Sequence, residues 1–274
     1  MSSKPKIVEF QTALAQPTSE ETRAQELFER QRAYFATDVT KTYDWRVDQL
    51  DRLIRMLKEN YGDFANASRE DFKTAVQENV FEVSASIATS EFAKSQLKEW
   101  MKPVEAPLPK FLAASGHKGV VYREPYGVTL IICPFNGPLL LSLRPAVAAL
   151  SAGNPCMLKL SEALAATDEL LLELIPKYFQ PEALSAVVGG REVVTKVLTF
   201  PFDFGVFPLF RENMTVFRVN AIVNLLQSHG RIGVKTEDAK SLIGKCDLIR
   251  IEVPGETSTL AQPLGRCQEV FLAA

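Results

Sequence analysis

The sequence predicts an α/β fold: a helical N-terminal lead-in, a doubly wound, Rossmann-like parallel sheet, and a C-terminal part in which that pattern is incomplete or rearranged. Three observations carry this expectation. Apolar residues recur at helical period through the first hundred residues. From Val120 onward, short β-branched runs alternate with helical stretches. After Phe207 the alternation lapses. Strands spaced by helices imply parallel pairing through right-handed crossovers. The expected units are residues 1–110, a helical segment packing on the sheet; 111–207, the sheet with its helices; and 208–274, a divergent region.

The elements follow in order. Thr18 and Glu21 have capping-box spacing ahead of a polar helix reaching Phe35. A second helix starts near Asp44, with Leu50, Leu53, Ile54, Leu57, Tyr61 and Phe64 on one stripe. Ser68 and Asp71 form a second capping pair, opening a long helix that Pro103 stops near Met101. Pro103, Pro107 and Pro109 then make a connecting loop. Val128–Cys133, Pro155–Lys159, Ser185–Val188 and Phe202–Phe207 read as strands. Leu139–Leu150, Ala165–Phe179 and Arg191–Leu198 read as the helices between them. Further on, Thr215–Val219 and Asp247–Val253 have strand character and Ala221–Ser228 helical character.

Composition narrows the function classes. The chain has 274 residues, 46% apolar and 23% charged, with a formal net charge of −2. Nucleic-acid readers are usually basic, so no nucleic-acid partner is expected. The longest apolar tract, about Val128 to Ala152, holds Pro134, Pro138, Pro145, Asn136 and Arg144, which argues against a membrane span. The start, MSSKPKIVEF, lacks an apolar signal core. The four cysteines form no C-x-x-C pair, so neither a disulfide framework nor a metal site is expected, and a cytoplasmic setting is.

Polar residues inside the apolar tract are the candidate site. Ligands of doubly wound sheets sit at the carboxyl ends of the strands. Asn136, Lys159 and the pair Gly189-Gly190 all fall there. Asn136 either donates its amide to a developing oxyanion or caps the helix beginning at Pro138. Lys159 either reaches ribose hydroxyls or a phosphate, or snorkels at the rim. Glu162 suits a helix start, and its carboxylate also accepts from hydroxyls. Gly190 offers close backbone approach to a ligand or simply completes a turn. Cys133 borders the same loop as a nucleophile or, more simply, as a buried apolar side chain, and Cys156 belongs mid-strand in the core. His117 and His229 lie in loop-like contexts without evident partners.

The segments REPYGVTLIICPFNGPL (Arg123–Leu139), ALSAGNPCMLKLSE (Ala149–Glu162) and SAVVGG (Ser185–Gly190) together resemble the aldehyde dehydrogenase superfamily. The lead-in ending LKEWMKP is similar to the branch that acts on fatty and aromatic aldehydes. The resemblance covers about residues 20–204. It implies oxidation of a small-molecule aldehyde to a carboxylate with NAD or NADP, an oxyanion-donor role for Asn136, and cofactor contacts from Lys159, Glu162 and Gly190. It also implies oligomers, with a homodimer as the expectation here.

The sequence departs from the family pattern in several places. Phe135 and Gly137 stand where the family has Trp and Tyr, and Leu160 where it has Pro. Pro208, Leu209 and Phe210 stand where it has a Thr-Gly-Ser turn near the pyrophosphate. No segment matches the family's general-base or nucleophile motif; Cys267, in LGRCQEV, has the wrong spacing. Catalytic nucleophile and base are therefore unassigned. The alternative expectation is a shortened, catalytically inactive member that binds a nucleotide or a partner, or a non-functional remnant.

Overall fold

The computed structural model describes residues 19–72, 76–208, 213–217 and 249–252. The lead-in is α1 (Ser19–Phe35), α2 (Tyr43–Glu59), α3 (Tyr61–Phe72) and α4 (Val76–Trp100). An antiparallel ribbon of β1 (Val104–Ala106) and β2 (Gly119–Val121) flanks the short α5 (Lys110–Ala114). Then come β3 (Thr129–Ile132), α6 (Leu140–Ala152), β4 (Cys156–Lys159), α7 (Ala165–Tyr178), β5 (Leu184–Val187), α8 (Arg191–Val197) and β6 (Phe204–Pro208). Two further strands, β7 (Asn213–Phe217) and β8 (Ile249–Glu252), complete the described residues.

The sheet order is β5-β4-β3-β6-β7-β8. The first four strands are parallel, and β6-β7 and β7-β8 are antiparallel. From β3 the chain winds outward through β4 to β5, then returns to place β6 on the other side of β3. The strand order therefore reverses between β3 and β6, and this is the switch point where such sheets open a crevice.

Alternation along β3 and β4 decides which layer each side chain joins. Ile131, Cys156 and Leu158 join a core with α2, α3, α4, α6 and α7 residues, including Leu53, Phe64, Leu97, Leu143 and Leu171. Leu130 and Met157 join a second core with Leu27 and Phe28 of α1 and Val193 and Val197 of α8. Strands buried on both faces read as near-continuous apolar runs, which is why they stand out in the sequence. The first cluster draws on both sides of the expected boundary at residue 110. α1 is pinned by Gln31, whose buried Nε2 donates to Cys156 O (2.8 Å), Pro181 O (3.1 Å) and Ser185 Oγ (3.1 Å).

Several local expectations are corrected. The stripe through Leu57 and Phe64 spans two helices, broken at Asn60, whose Nδ2 donates to Met56 O at 2.8 Å. Thr42 caps α2, accepting from Trp45 N–H at 3.2 Å. Ser68 and Asp71 do not open α4: both lie inside α3, Ser68 is buried, and Asp71 serves another helix. The proline-rich connector carries β1 and α5. β7 and β8 match the strand character read at Thr215–Val219 and Asp247–Val253, but they run antiparallel. Thr18, the helix expected at 221–228, His229 and Cys267 lie outside the described residues.

Candidate functional site

The carboxyl ends of β3, β4 and β5 bring together the residues singled out from sequence. β3 leads through Cys133 and Pro134 to Asn136, which is half-buried beside the exposed Phe135. Among the described residues the Asn136 amide has no hydrogen-bond partner, and it does not cap α6. That role falls to Glu82 of α4, whose Oε2 accepts from Leu139 N–H and Leu140 N–H, both at 3.0 Å. A carboxylate on the first N–H groups of a helix also meets the positive end of its dipole. With the cap supplied from elsewhere, the Asn136 amide is left available to a ligand.

The same device recurs at the next helix. Asp71 of α3 accepts from Ala166 N–H (3.0 Å) and Thr167 N–H (2.8 Å) at the start of α7. Glu162 therefore stands in the turn before α7 rather than on its first N–H groups, and its side chain is 62% exposed. Lys159 is no rim lysine: its side chain is 2% exposed, Nζ donates to Leu160 O at 2.5 Å and lies 3.6 Å from Glu162 Oε2. Burial pulls the ammonium below its usual value, while Glu162 opposes the shift.

Sequence reasoning missed Glu82 and Asp168 and assigned Asp71 to the wrong helix. The two capping carboxylates act on partners about 57 and 95 residues away, so no local spacing marks them. Asp168, in the first turn of α7, is buried, and its Oδ2 has no partner among the described residues. Burial pushes its carboxyl up to about 7; Lys159 pulls the other way, and repulsion from Asp71 and Glu162 adds to the rise. The folded state thus holds this proton more tightly than the unfolded chain does. The stability it contributes is fully present below about pH 4 and is lost as pH rises through about 7. Asp168→Asn is expected to flatten that fall and to stabilise the protein at pH 8 by about 1–2 kcal/mol, allowing for solvent screening. Urea unfolding of both proteins at pH 5 and pH 8 checks this; an equal difference at both pH values would refute the assignment.

At the end of β5 the two glycines differ. Gly189 has φ +140°, and a Cβ there would lie 2.4 Å from Val193 Cγ2. Gly190 has φ −76°, and a Cβ there would meet nothing within 4 Å. The fold therefore requires Gly189, and it leaves open space over Gly190 that a ligand can use.

The cysteines in the described residues are poor nucleophiles. Burial pushes the Cys133 thiol up to about 12, with the Ser142 hydroxyl opposing. Cys156 is raised by burial as well, and both are free thiols in the core. Only thiolates attack carbonyls efficiently. His117 sits on the exposed turn before β2, against Ser115 Oγ at 2.8 Å. No group of His, Cys, Asp and Glu suited to a metal occurs among the described residues. Nor is any described helix long and apolar enough to cross a membrane. A cavity of about 40 Å³ opens elsewhere, between α2, α4 and α6, lined by Arg46, Leu97, Trp100 and Val147; none of the four candidate residues lines it.

Fold and strand-end residues together define a doubly wound α/β protein with a candidate ligand site at the strand ends. The chain belongs to the aldehyde dehydrogenase family, whose model matches residues 10–202. Among its relatives is aldehyde dehydrogenase family 3 member B1 of Mus musculus, 34% identical over 174 residues, or 63% of this chain and 37% of the relative. Another is the 4,4'-diaponeurosporen-aldehyde dehydrogenase of Staphylococcus aureus, 30% identical over 64% of this chain and 38% of that protein. The chain thus spans little more than a third of the length of these curated relatives. A solved structure of Staphylococcus aureus AldH in a substrate-bound state superposes with a TM-score of 0.63 at 29% identity, covering 65% of this chain and 39% of that one. The proline utilization A protein of Bradyrhizobium japonicum shares the fold, with a TM-score of 0.58 at 20% identity.

Members of this family use NAD or NADP, and the crevice fits that group only in part. Glu162 would offer an exposed acceptor to a ribose diol and Gly190 open space, while the buried Lys159 already donates to Leu160 O. The N-termini of α6 and α7 are closed to its pyrophosphate. Such groups favour a free helix N-terminus. Here Glu82 and Asp71 occupy the N-termini of α6 and α7, and β6 is paired with the antiparallel β7, with Pro208 opposite Met214.

Proposed function

We propose that this chain forms the nucleotide-side half of an aldehyde-oxidising system and does not by itself turn aldehyde over. The reading rests on one observation. A free amide (Asn136), a buried ammonium (Lys159), an exposed carboxylate (Glu162) and an open backbone position (Gly190) share the strand-end edge, whereas Cys133 and Cys156 are held as thiols. Asn136 can donate its amide N–H groups to oxygen that gains negative charge as a carbonyl is attacked. Lys159 and Glu162 hold ribose hydroxyls as donor and acceptor. The strands that carry them are fully buried on both faces, by Ile131 and Leu158 on one and Val187 on the other. Family membership and the family 3 relatives support an aldehyde as the substrate class. The free buried cysteines support a reducing, cytoplasmic setting.

The test is NAD(P)H formation by the purified chain with aliphatic and aromatic aldehydes. The expected result is no turnover above background. Thiol-dependent turnover that is lost on Cys267→Ala would overturn the proposal.

A partner-binding reading is favoured by one further observation. The β1-β2 ribbon and α5 expose Val104, Val120, Val121, Tyr122 and Phe111, the last two about 70% exposed. Apolar surface grouped in this way suits a protein contact, here a second copy of the chain. Sedimentation of the purified protein is expected to give a dimer, and a monomer across the micromolar range would exclude it.

A further inference from the structure

We infer that the cavity between α2, α4 and α6 is a second binding site, which takes a short-chain carboxylate on the buried guanidinium of Arg46. It is separate from the strand-end site. α6 runs back from the end of β3, and the cavity opens at its last turn, beside Ser151 and Ala152, before β4 begins at Cys156. The cavity therefore lies toward the opposite end of the sheet from Asn136.

Arg46 is 6% exposed, and its hydrogen-bond partners among the described residues are neutral carbonyls. Nε donates to Thr40 O at 3.4 Å, Nη1 to Ser151 O at 3.4 Å and Nη2 to Lys41 O at 3.1 Å. A guanidinium has five N–H donors, so two remain for a ligand. Buried charges are ordinarily paired, because a lone one loses its hydration without return. No carboxylate among the described residues pairs with this one. Burial alone pulls the guanidinium down to about 10, so it is still charged at neutral pH.

The cavity, about 40 Å³, has room for about three water-sized spheres. Arg123 adds a second guanidinium to its lining, with Nη1 donating to Trp100 O at 3.1 Å. The carboxylate in the lining, Glu124, is 69% exposed and lies 3.6 Å from Lys41 Nζ, which offsets its charge. Leu97 and Val147 supply buried apolar surface. A guanidinium matches the plane of a carboxylate, and apolar walls favour an alkyl tail over a bare ion. The volume limits that tail to one or two carbons.

The experiment is calorimetric titration of the full chain with propionate, propionamide and chloride. Propionate is expected to bind with a Kd of roughly 1 mM, and the neutral propionamide and the tailless chloride each at least about tenfold more weakly. Arg46→Lys is expected to weaken propionate, but it also disturbs three structural bonds. Ala148→Leu leaves those bonds in place and fills the cavity that Ala148 lines, so it should abolish binding in folded protein. Propionamide binding as well as propionate would remove the guanidinium from recognition and overturn the inference. Chloride binding equally well would overturn the carboxylate assignment. Unchanged propionate binding in Ala148→Leu, or none in the parent up to about 50 mM, would also overturn it. Each of these failures leaves the proposed function standing, since Ala148 is remote from Glu162 and Gly190.

Discussion

Gly189→Ala is expected to destabilise the protein by about 3 kcal/mol or more, whereas Gly190→Ala should change its stability by less than about 0.5 kcal/mol. The adjacent positions carry the same chemical change, so the contrast isolates backbone and packing. At Gly189 the φ of +140° is one that L-residues rarely adopt, and the new methyl would lie 2.4 Å from Val193 Cγ2 and 2.9 Å from Val193 Cβ. Val193 is buried in the α1/α8 core, so it cannot swing away without opening that layer. At Gly190 the backbone is ordinary and the space open. Denaturant melts of both variants measure the difference. A ligand crossing Gly190 would meet the added methyl, so Gly190→Ala should lose nucleotide affinity about tenfold while melting like the parent. Equal melting of the two variants would contradict the geometry.

Glu82→Ala is expected to cost about 2–4 kcal/mol, and Asn136→Ala almost nothing. The Glu82 carboxylate makes two charge-assisted bonds to Leu139 N–H and Leu140 N–H, at the positive end of α6. Leu139 is fully buried, so removing the acceptor leaves a donor without water to replace it. Glu82→Gln keeps an acceptor but loses the charge, and should fall between. Asn136 offers the opposite case, a polar group beside the helix start with no structural partner among the described residues. If Asn136→Ala destabilised as much as Glu82→Ala, the amide would be a structural cap and its assignment to an oxyanion would lose its basis. Thermal and urea unfolding of the three variants decide between these outcomes.

Much of the sheet was legible in the sequence because β3, β4 and β5 are buried on both faces. Burial of that kind leaves uninterrupted runs such as Leu130-Ile131 and Met157-Leu158, which polar helix faces cannot imitate. The strand-end positions of Asn136, Lys159 and Gly190 followed directly from those runs. The capping carboxylates were not legible. Their acceptors and donors meet only after α3 and α4 pack on α6 and α7, and a glutamate or aspartate within a helix looks like any other solvated charge. Asp71 shows how this misleads, since its spacing from Ser68 imitates a local cap while its carboxylate reaches α7. The direction of β7 was equally hidden. Strand character at Thr215–Val219 says nothing about whether β7 runs with β6 or against it.

The two carboxylate caps also bear on how the molecule reaches its folded state. Each closes a long loop of chain, about 57 residues for Glu82 and 95 for Asp71, before a single helix start is satisfied. Loop closure on that scale is paid in chain entropy before the contact returns anything, and non-local contacts of this kind slow folding. Until α3 and α4 dock, α6 and α7 are apolar helices with frayed, unsatisfied beginnings. The lead-in therefore acts as an intramolecular template: a nascent chain carries the capping groups first and uses them only after the sheet has emerged.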